Sequence, residues 1–119
     1  MLEDLIDSYI AVWNETDPGA RRALVARTWA ADACYLDPMM AGKGHGGIDA
    51  MIGAAQGQFP GLTFSRRGAL DAFGDNVRFS WDLGLAGAAP VAGGTDFAVV
   101  TAGKFAHVTG FLDFAPGQA

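Results

Sequence analysis

The apolar spacing of this chain changes period once, and that change limits what it can fold into. Before residue 60, apolar side chains recur every three or four positions, interrupted by one short strand; from Leu62 onward they alternate. Leu2, Leu5, Ile6, Tyr9, Ile10 and Trp13 form one helical stripe, with Glu3, Asp4 and Asp7 placed early, where the helix dipole favours acids. Asp17-Pro18 reads as an N-cap followed by proline in the first turn. It opens a second helix, predicted to run to about Trp29 with a thin apolar face of Ala20, Ala23, Leu24 and Ala26. Ile48, Met51, Ile52, Ala55 and Phe59 give a third helix, closed by Phe59-Pro60-Gly61.

Between the second and third helices lies the apolar strand Ala33–Asp37, ended by Pro38, and then a stretch, 39–47, whose four glycines predict a loop. Beyond Leu62 the clearest strand is Val77, Phe79, Trp81, Leu83 and Leu85 alternating with Arg78, Ser80, Asp82, Gly84 and Ala86. A Gly/Ala/Pro-rich connection over 86–94 precedes strands at 95–101 and 105–114, and residues 115–119 are expected to fray. Helices first and strands after predict one α+β domain over 1–119. Three N-terminal helices pack on one face of a curved, mostly antiparallel sheet and enclose a pocket.

Composition narrows the function classes. A net charge of −5, with eight basic residues scattered along the chain, argues against a nucleic-acid partner, because phosphate binding needs clustered Lys and Arg. The pairs Arg21-Arg22 and Arg66-Arg67 read as solvated surface. The single cysteine, Cys34, allows no intrachain disulfide. No signal-peptide pattern and no apolar run of spanning length is present, so a cytoplasmic protein without a membrane partner is expected. Neither a zinc-spaced Cys/His set nor a glycine-rich phosphate loop occurs, so no metal and no cofactor are expected.

Asp37 is the residue of most chemical interest. A carboxylate ending an apolar strand is either a turn residue, as Asp-Pro often is, or, facing a cavity, a proton acceptor. Alternation puts Tyr35 and Asp37 on one face. Tyr9 sits on the apolar stripe of the first helix, either as core or with its hydroxyl toward a ligand. Trp13, Tyr35, Phe59, Phe79, Trp81, Phe97, Val99 and Leu112 are expected to line the pocket and to select a flat or greasy small molecule. His45 is either an exposed loop residue or one that closes over the pocket. His107 faces out if Val108, Gly110 and Leu112 face in, and Asp82 is expected outside, near Arg78 or Asp96.

Several short sequences occur in a telling order: Ser8-Tyr9-Ile10-Ala11-Val12-Trp13, Trp29-Ala30-Ala31-Asp32-Ala33, Asp37-Pro38, Gly47-Ile48-Asp49-Ala50-Met51, Gly103-Lys104-Phe105 and Gly110-Phe111-Leu112-Asp113. Together with the element order, they resemble the NTF2-like cone fold, and within it the SnoaL-like polyketide cyclase and ketosteroid isomerase branch. The superfamily hosts isomerases, cyclases, dehydratases, hydrolases and proteins without a reaction, so the resemblance implies a fold more than a chemistry. It implies that Asp37 stands where the isomerases keep a general base and Tyr9 where they keep the tyrosine that hydrogen-bonds the substrate oxygen. Such a pair removes a proton beside a carbonyl and steadies the oxyanion that forms. The isomerases add a protonated aspartate as second donor. Its place falls on Val99. The resemblance to SnoaL-like cyclases implies an acid/base residue on a late strand, for which Asp96 and His107 are the candidates.

Two readings stay open. One is a cofactor-free isomerase, cyclase or dehydratase acting on a small hydrophobic substrate. The other is a non-catalytic ligand-binding or assembly module. Under both, a homodimer is expected through the open sheet face, assigned to Ala98, Val100, Phe105, Thr109 and Phe111.

Overall fold

The described residues form three helices and six strands: α1 (Leu2–Asn14), α2 (Pro18–Thr28), β1 (Trp29–Leu36), β2 (Ala41–Lys43), α3 (Gly44–Gln58), β3 (Thr63–Phe73), β4 (Asn76–Gly84), β5 (Ala92–Thr101) and β6 (Lys104–Phe114). The computed structural model describes residues 2–115, so most of the stretch expected to fray lies outside the described residues. The N-cap forms as the sequence predicts, with Asp17 Oδ2 accepting from the Ala20 N–H at 2.9 Å. Two boundaries differ from expectation. Trp29 heads β1 instead of ending α2, because it pairs with Phe105 of β6 and its side chain is fully buried. The glycine-rich stretch is not a loop throughout. It turns at Pro38–Met40, forms β2 against β1 and enters α3 at Gly44.

The strands form one sheet in the order β2-β1-β6-β5-β4-β3, in which only the β1–β6 pair is parallel. Register shifts interrupt β3–β4 between Arg67 and Asp71, β5–β6 at Gly93/Gly94 and at Val99/Val100, and β1–β6 between Trp29 and Cys34. Bulges of this kind bend a sheet. Gly68, within the first of them, takes a positive φ of 73°. The sheet is curved but does not close.

All three helices pack on the inner face. Ile6, Tyr9, Val12 and Trp13 of α1, Val25 of α2, and Ile48, Met51, Ile52 and Ala55 of α3 meet Ala33, Tyr35, Val77, Phe79, Ala98, Phe105 and Val108 of the sheet. Arg21 is not solvated surface. It is buried, with Nε 2.8 Å from Asp49 Oδ1 and Nη1 donating to Gln56 Oε1 at 2.8 Å. Gln56 in turn donates to the carbonyls of Trp13 and Glu15, so one clasp joins all three helices. On the outer face Asp82 pairs with Arg67 at 3.3 Å, and Arg78 pairs with Asp71, so neither Arg78 nor Asp96 is its partner.

Ala98 and Phe105, expected on an open outer face, belong to the buried core, and Val100 packs against that core. The exposed apolar row runs instead through Leu36 of β1, beside Thr109, to Phe97 of β5. Among the described residues, no helix is long and apolar enough to cross a membrane.

Candidate functional site

Between α1, the start of β3 and the inner sheet face lies a cavity of about 470 Å³. Its wall is mostly aromatic and aliphatic, and among the described residues its only ionisable groups besides two tyrosines are Asp37 and Asp96. The two carboxyls come from strands that are not neighbours, since β6 runs between β1 and β5. Gly110 of β6 lets them meet. A side-chain carbon at position 110 would stand 2.9 Å from Asp96 Oδ1, 3.1 Å from the Tyr35 hydroxyl and 3.2 Å from Asp37 Cβ. Such distances leave no room for one.

Asp37 is half-buried. Its Oδ2 accepts from the Tyr35 hydroxyl at 2.6 Å, and its Oδ1 accepts from the N–H groups of Met39 and Met40 at 2.7 and 2.9 Å. The Asp37 N–H donates to the Met40 carbonyl at 2.9 Å. Pro38 keeps β1 from continuing, and this turn fixes the carboxyl at the cavity rim.

Asp96 is deeper, with 1% of its surface exposed. Oδ2 accepts from the Tyr9 hydroxyl at 2.5 Å and Oδ1 from Trp81 Nε1 at 3.1 Å. Burial raises its pKa from the ordinary carboxylate value to about 6. The hydrogen bonds from Tyr9 and Trp81 hold the rise back, and the charges of Asp37 and Asp113 add to it. Burial, reinforced by the charge of Asp96, also pushes the Tyr9 and Tyr35 hydroxyls well above their usual range, so both stay protonated.

Trp81 reaches Asp96 across Gly94. A carbon at position 94 would lie 2.5 Å from both the Trp81 ring and the Phe111 carbonyl oxygen. The rings form a continuous arc. Tyr35 and Trp13 have centroids 5.5 Å apart, Trp13 and Phe64 5.4 Å, and Phe64 and Trp81 5.3 Å. One end of the arc hydrogen-bonds Asp37 through Tyr35 and the other hydrogen-bonds Asp96 through Trp81.

Of the residues singled out from sequence, Tyr9, Trp13, Tyr35, Asp37, Phe59, Trp81 and Leu112 line this cavity. Four do not. Phe79 is fully buried beneath it, packed edge-on against Tyr9 at 5.0 Å. Phe97 and Val99 lie on the opposite face of β5 from Asp96, Ala98 and Val100; Phe97 is exposed and Val99 is paired with Asn76 and His107. His45 sits in the first turn of α3, where its Nε2 donates to the Trp29 carbonyl at 2.7 Å. The inward carboxyl of β5 is therefore Asp96, not a side chain at 99.

Gly94, Gly110, Met39, Met40 and Phe64 are site residues that the sequence does not single out, and Asp96 stands there only as one of two candidates, with His107, for an acid/base residue. The available signal was an acid sharing strand parity with Ala98 and Val100. Among the described residues, no group of three His, Cys, Asp or Glu side chains converges as a metal ion would need.

No family model and no curated protein matches the sequence. Solved structures do. A candidate isomerase of the SnoaL-like family from Agrobacterium tumefaciens is 44% identical, with a TM-score of 0.88, over 93% of this chain and 96% of that one. A candidate polyketide cyclase from Sinorhizobium meliloti is 18% identical, with a TM-score of 0.70, over 90% and 93%. A candidate ketosteroid isomerase from Kribbella flavida is 22% identical, with a TM-score of 0.67, over 98% and 80%. The last two share the fold.

Proposed function

This chain belongs to the SnoaL-like family, and from that premise we propose that it catalyses cofactor-free proton transfer beside a carbonyl of a small hydrophobic substrate, with Asp37 as base. The observation that carries this reading is the second carboxyl. Asp96 is buried, bound to Tyr9 and placed across Gly110 from Asp37. Two carboxyls at one site with environments as different as these can divide acid and base roles.

In this reading the substrate lies against Trp13 and Phe64 with its carbonyl oxygen toward Asp96 and Tyr9. Asp37 removes the neighbouring C–H proton. The neutral Asp96 carboxyl, present below its pKa of about 6, donates to the enolate oxygen as charge develops there. Return of the proton from Asp37 to another carbon completes an isomerisation; attack of the enolate carbon on a second carbonyl, whose oxygen then takes the proton from Asp37, gives a cyclisation.

The test is solvent-deuterium exchange into β,γ-unsaturated and simple cyclic ketones, followed by NMR. Asp37→Asn should lower exchange by about 10²–10⁴-fold, the range of a lost general base. Unchanged exchange in that variant removes Asp37 from the chemistry. A second reading has its own observation: Asp37 Oδ1 takes two backbone N–H groups, as a turn residue does. On that reading the cavity holds an apolar ligand without reaction, and the wild-type protein exchanges no proton in the same assay.

Self-association through the outer sheet face is part of the proposal. It is supported by the row from Leu36 to Phe97, where Phe97 is 40% and Leu36 54% exposed.

A further inference from the structure

We propose that the same cavity binds an organic ammonium ion, with its charge on the cavity side of the two carboxyls and its alkyl groups faced by the arc of rings. Three features of the site argue for a cation. First, among the described residues lining the cavity there is no Lys, Arg or His, so the hydrogen bonds to Asp37 and Asp96 are not joined by any positive side chain in its wall. Two carboxylates near each other in an apolar enclosure repel, and a positive ligand relieves both at once.

Second, the arc Tyr35–Trp13–Phe64–Trp81 presents the surface that alkylammonium groups favour. Neighbouring rings tilt at 55°, 56° and 66°, so the wall curves around the space instead of closing it by stacking. A ring face attracts a cation, most strongly when water is excluded. Third, each end of the arc is tied to a carboxyl, so the counter-charges and the ring faces are held in one frame. The chain's net charge of −5 adds a long-range field of the same sign.

This inference does not rest on the proton transfer. That reading uses the protonated form of Asp96, whereas the ammonium ion takes the ionised form. The groups facing Asp96 are Tyr9 of α1, Tyr35 of β1, Asp37 just after it, Trp81 of β4 and the charge of Asp113 of β6; both tyrosines stay protonated. The pH dependence of cation binding between pH 5 and 8 therefore follows Asp96.

The experiment compares three probes of similar shape: benzyltrimethylammonium, its neutral carbon isostere neopentylbenzene, and the anion 3-phenylpropanoate. Binding is read by tryptophan fluorescence, since Trp13 and Trp81 line the cavity. At pH 8 the cation should bind at least tenfold tighter than the isostere, and the ratio should shrink at pH 5. Asp96→Asn should lower cation affinity about tenfold and leave the isostere unchanged. Phe64→Leu should weaken the cation more than the isostere. Equal affinities, or a preference for the anion, overturn the proposal on the wild-type protein alone, even if Asp96→Asn fails to fold. A protein that prefers the cation but exchanges no substrate proton keeps this inference and loses the reaction; one that exchanges protons and ignores the cation does the reverse.

Discussion

Burial makes Asp96 measurable in two independent ways. Its carboxyl titrates at about 6 in the folded chain, against an ordinary value of 3.8. Between those pH values the folded state holds a proton that the unfolded state has released, so stability falls as pH rises through the window and levels off above it. Relative to Asp96→Asn, urea titrations from pH 3.5 to 7 should show the wild type losing about 3 kcal/mol. A flat difference would contradict a buried, raised carboxyl. If Asp96 also donates to the substrate, kcat/KM should fall as pH rises through about 6, and the asparagine variant, whose amide still donates, should lose that limb. Gly94 gives a second prediction at this scale. A methyl there meets the Phe111 backbone oxygen and the Trp81 ring, and the backbone cannot swing away as a side chain could. Gly94→Ala should cost about 1–3 kcal/mol or more in thermal or urea unfolding and should free the Trp81 N–H from Asp96, visible as a shifted indole NMR signal. Asp37 was legible because a carboxylate ends an apolar strand, and Tyr9 because it stands on the apolar stripe where the resemblance puts a substrate-binding tyrosine. Asp96 was not, because the inner positions of β5 are small (Gly94, Ala98) while Phe97 and Val99 lie outside. The helix side chains, Tyr9 above all, fill the space in front of β5, so the greasier side chains mark the wrong face.

At the scale of elements, α1 and β4 were legible because each has one buried face and a strict period. The stretch 39–47 was not. Its glycines suggest a loop, yet Gly42 sits in β2 with its Cα hydrogen side against Gly47 and Ile48, where a side-chain carbon would come within 3.0 Å of backbone. Gly42 is there for close approach of strand and helix, a tertiary cause that local propensity does not report. The same blindness applied to Arg21, which looked like surface because its partners Asp49 and Gln56 lie a helix away. Arg21→Ala should lower stability by about 2–3 kcal/mol, since it leaves the largely buried Asp49 carboxylate and the Gln56 amide without their charged partner. The loss should be larger than for Arg78→Ala, whose pair with Asp71 is exposed. Equal losses in matched urea titrations would deny the clasp its role.

For the whole molecule, the order of helices and strands was legible, and so was the α+β cone that it implies. On the outer face, Thr109 and Phe111 stand where the sequence predicts, whereas Ala98, Val100 and Phe105 face the core. The corrected row makes the association testable: Phe97→Asp should convert a dimer into a monomer in sedimentation without changing the far-ultraviolet circular dichroism. A wild-type chain already monomeric at high micromolar concentration would dispose of the dimer.

The parallel pairing of β1 with β6 has a bearing on how the molecule comes into being. Tyr35 finds its ladder partner Val108, and Asp37 the space above Gly110, only in the last strand of the chain. Such distant pairings are slow to form, because the loop between them must be closed before any contact rewards it. During synthesis β1 and β2 therefore emerge long before their floor exists, with one β1 edge open and the rings of α1 uncovered. The cavity, which takes Gly110, Phe111 and Leu112 from β6, is complete only once that strand has docked.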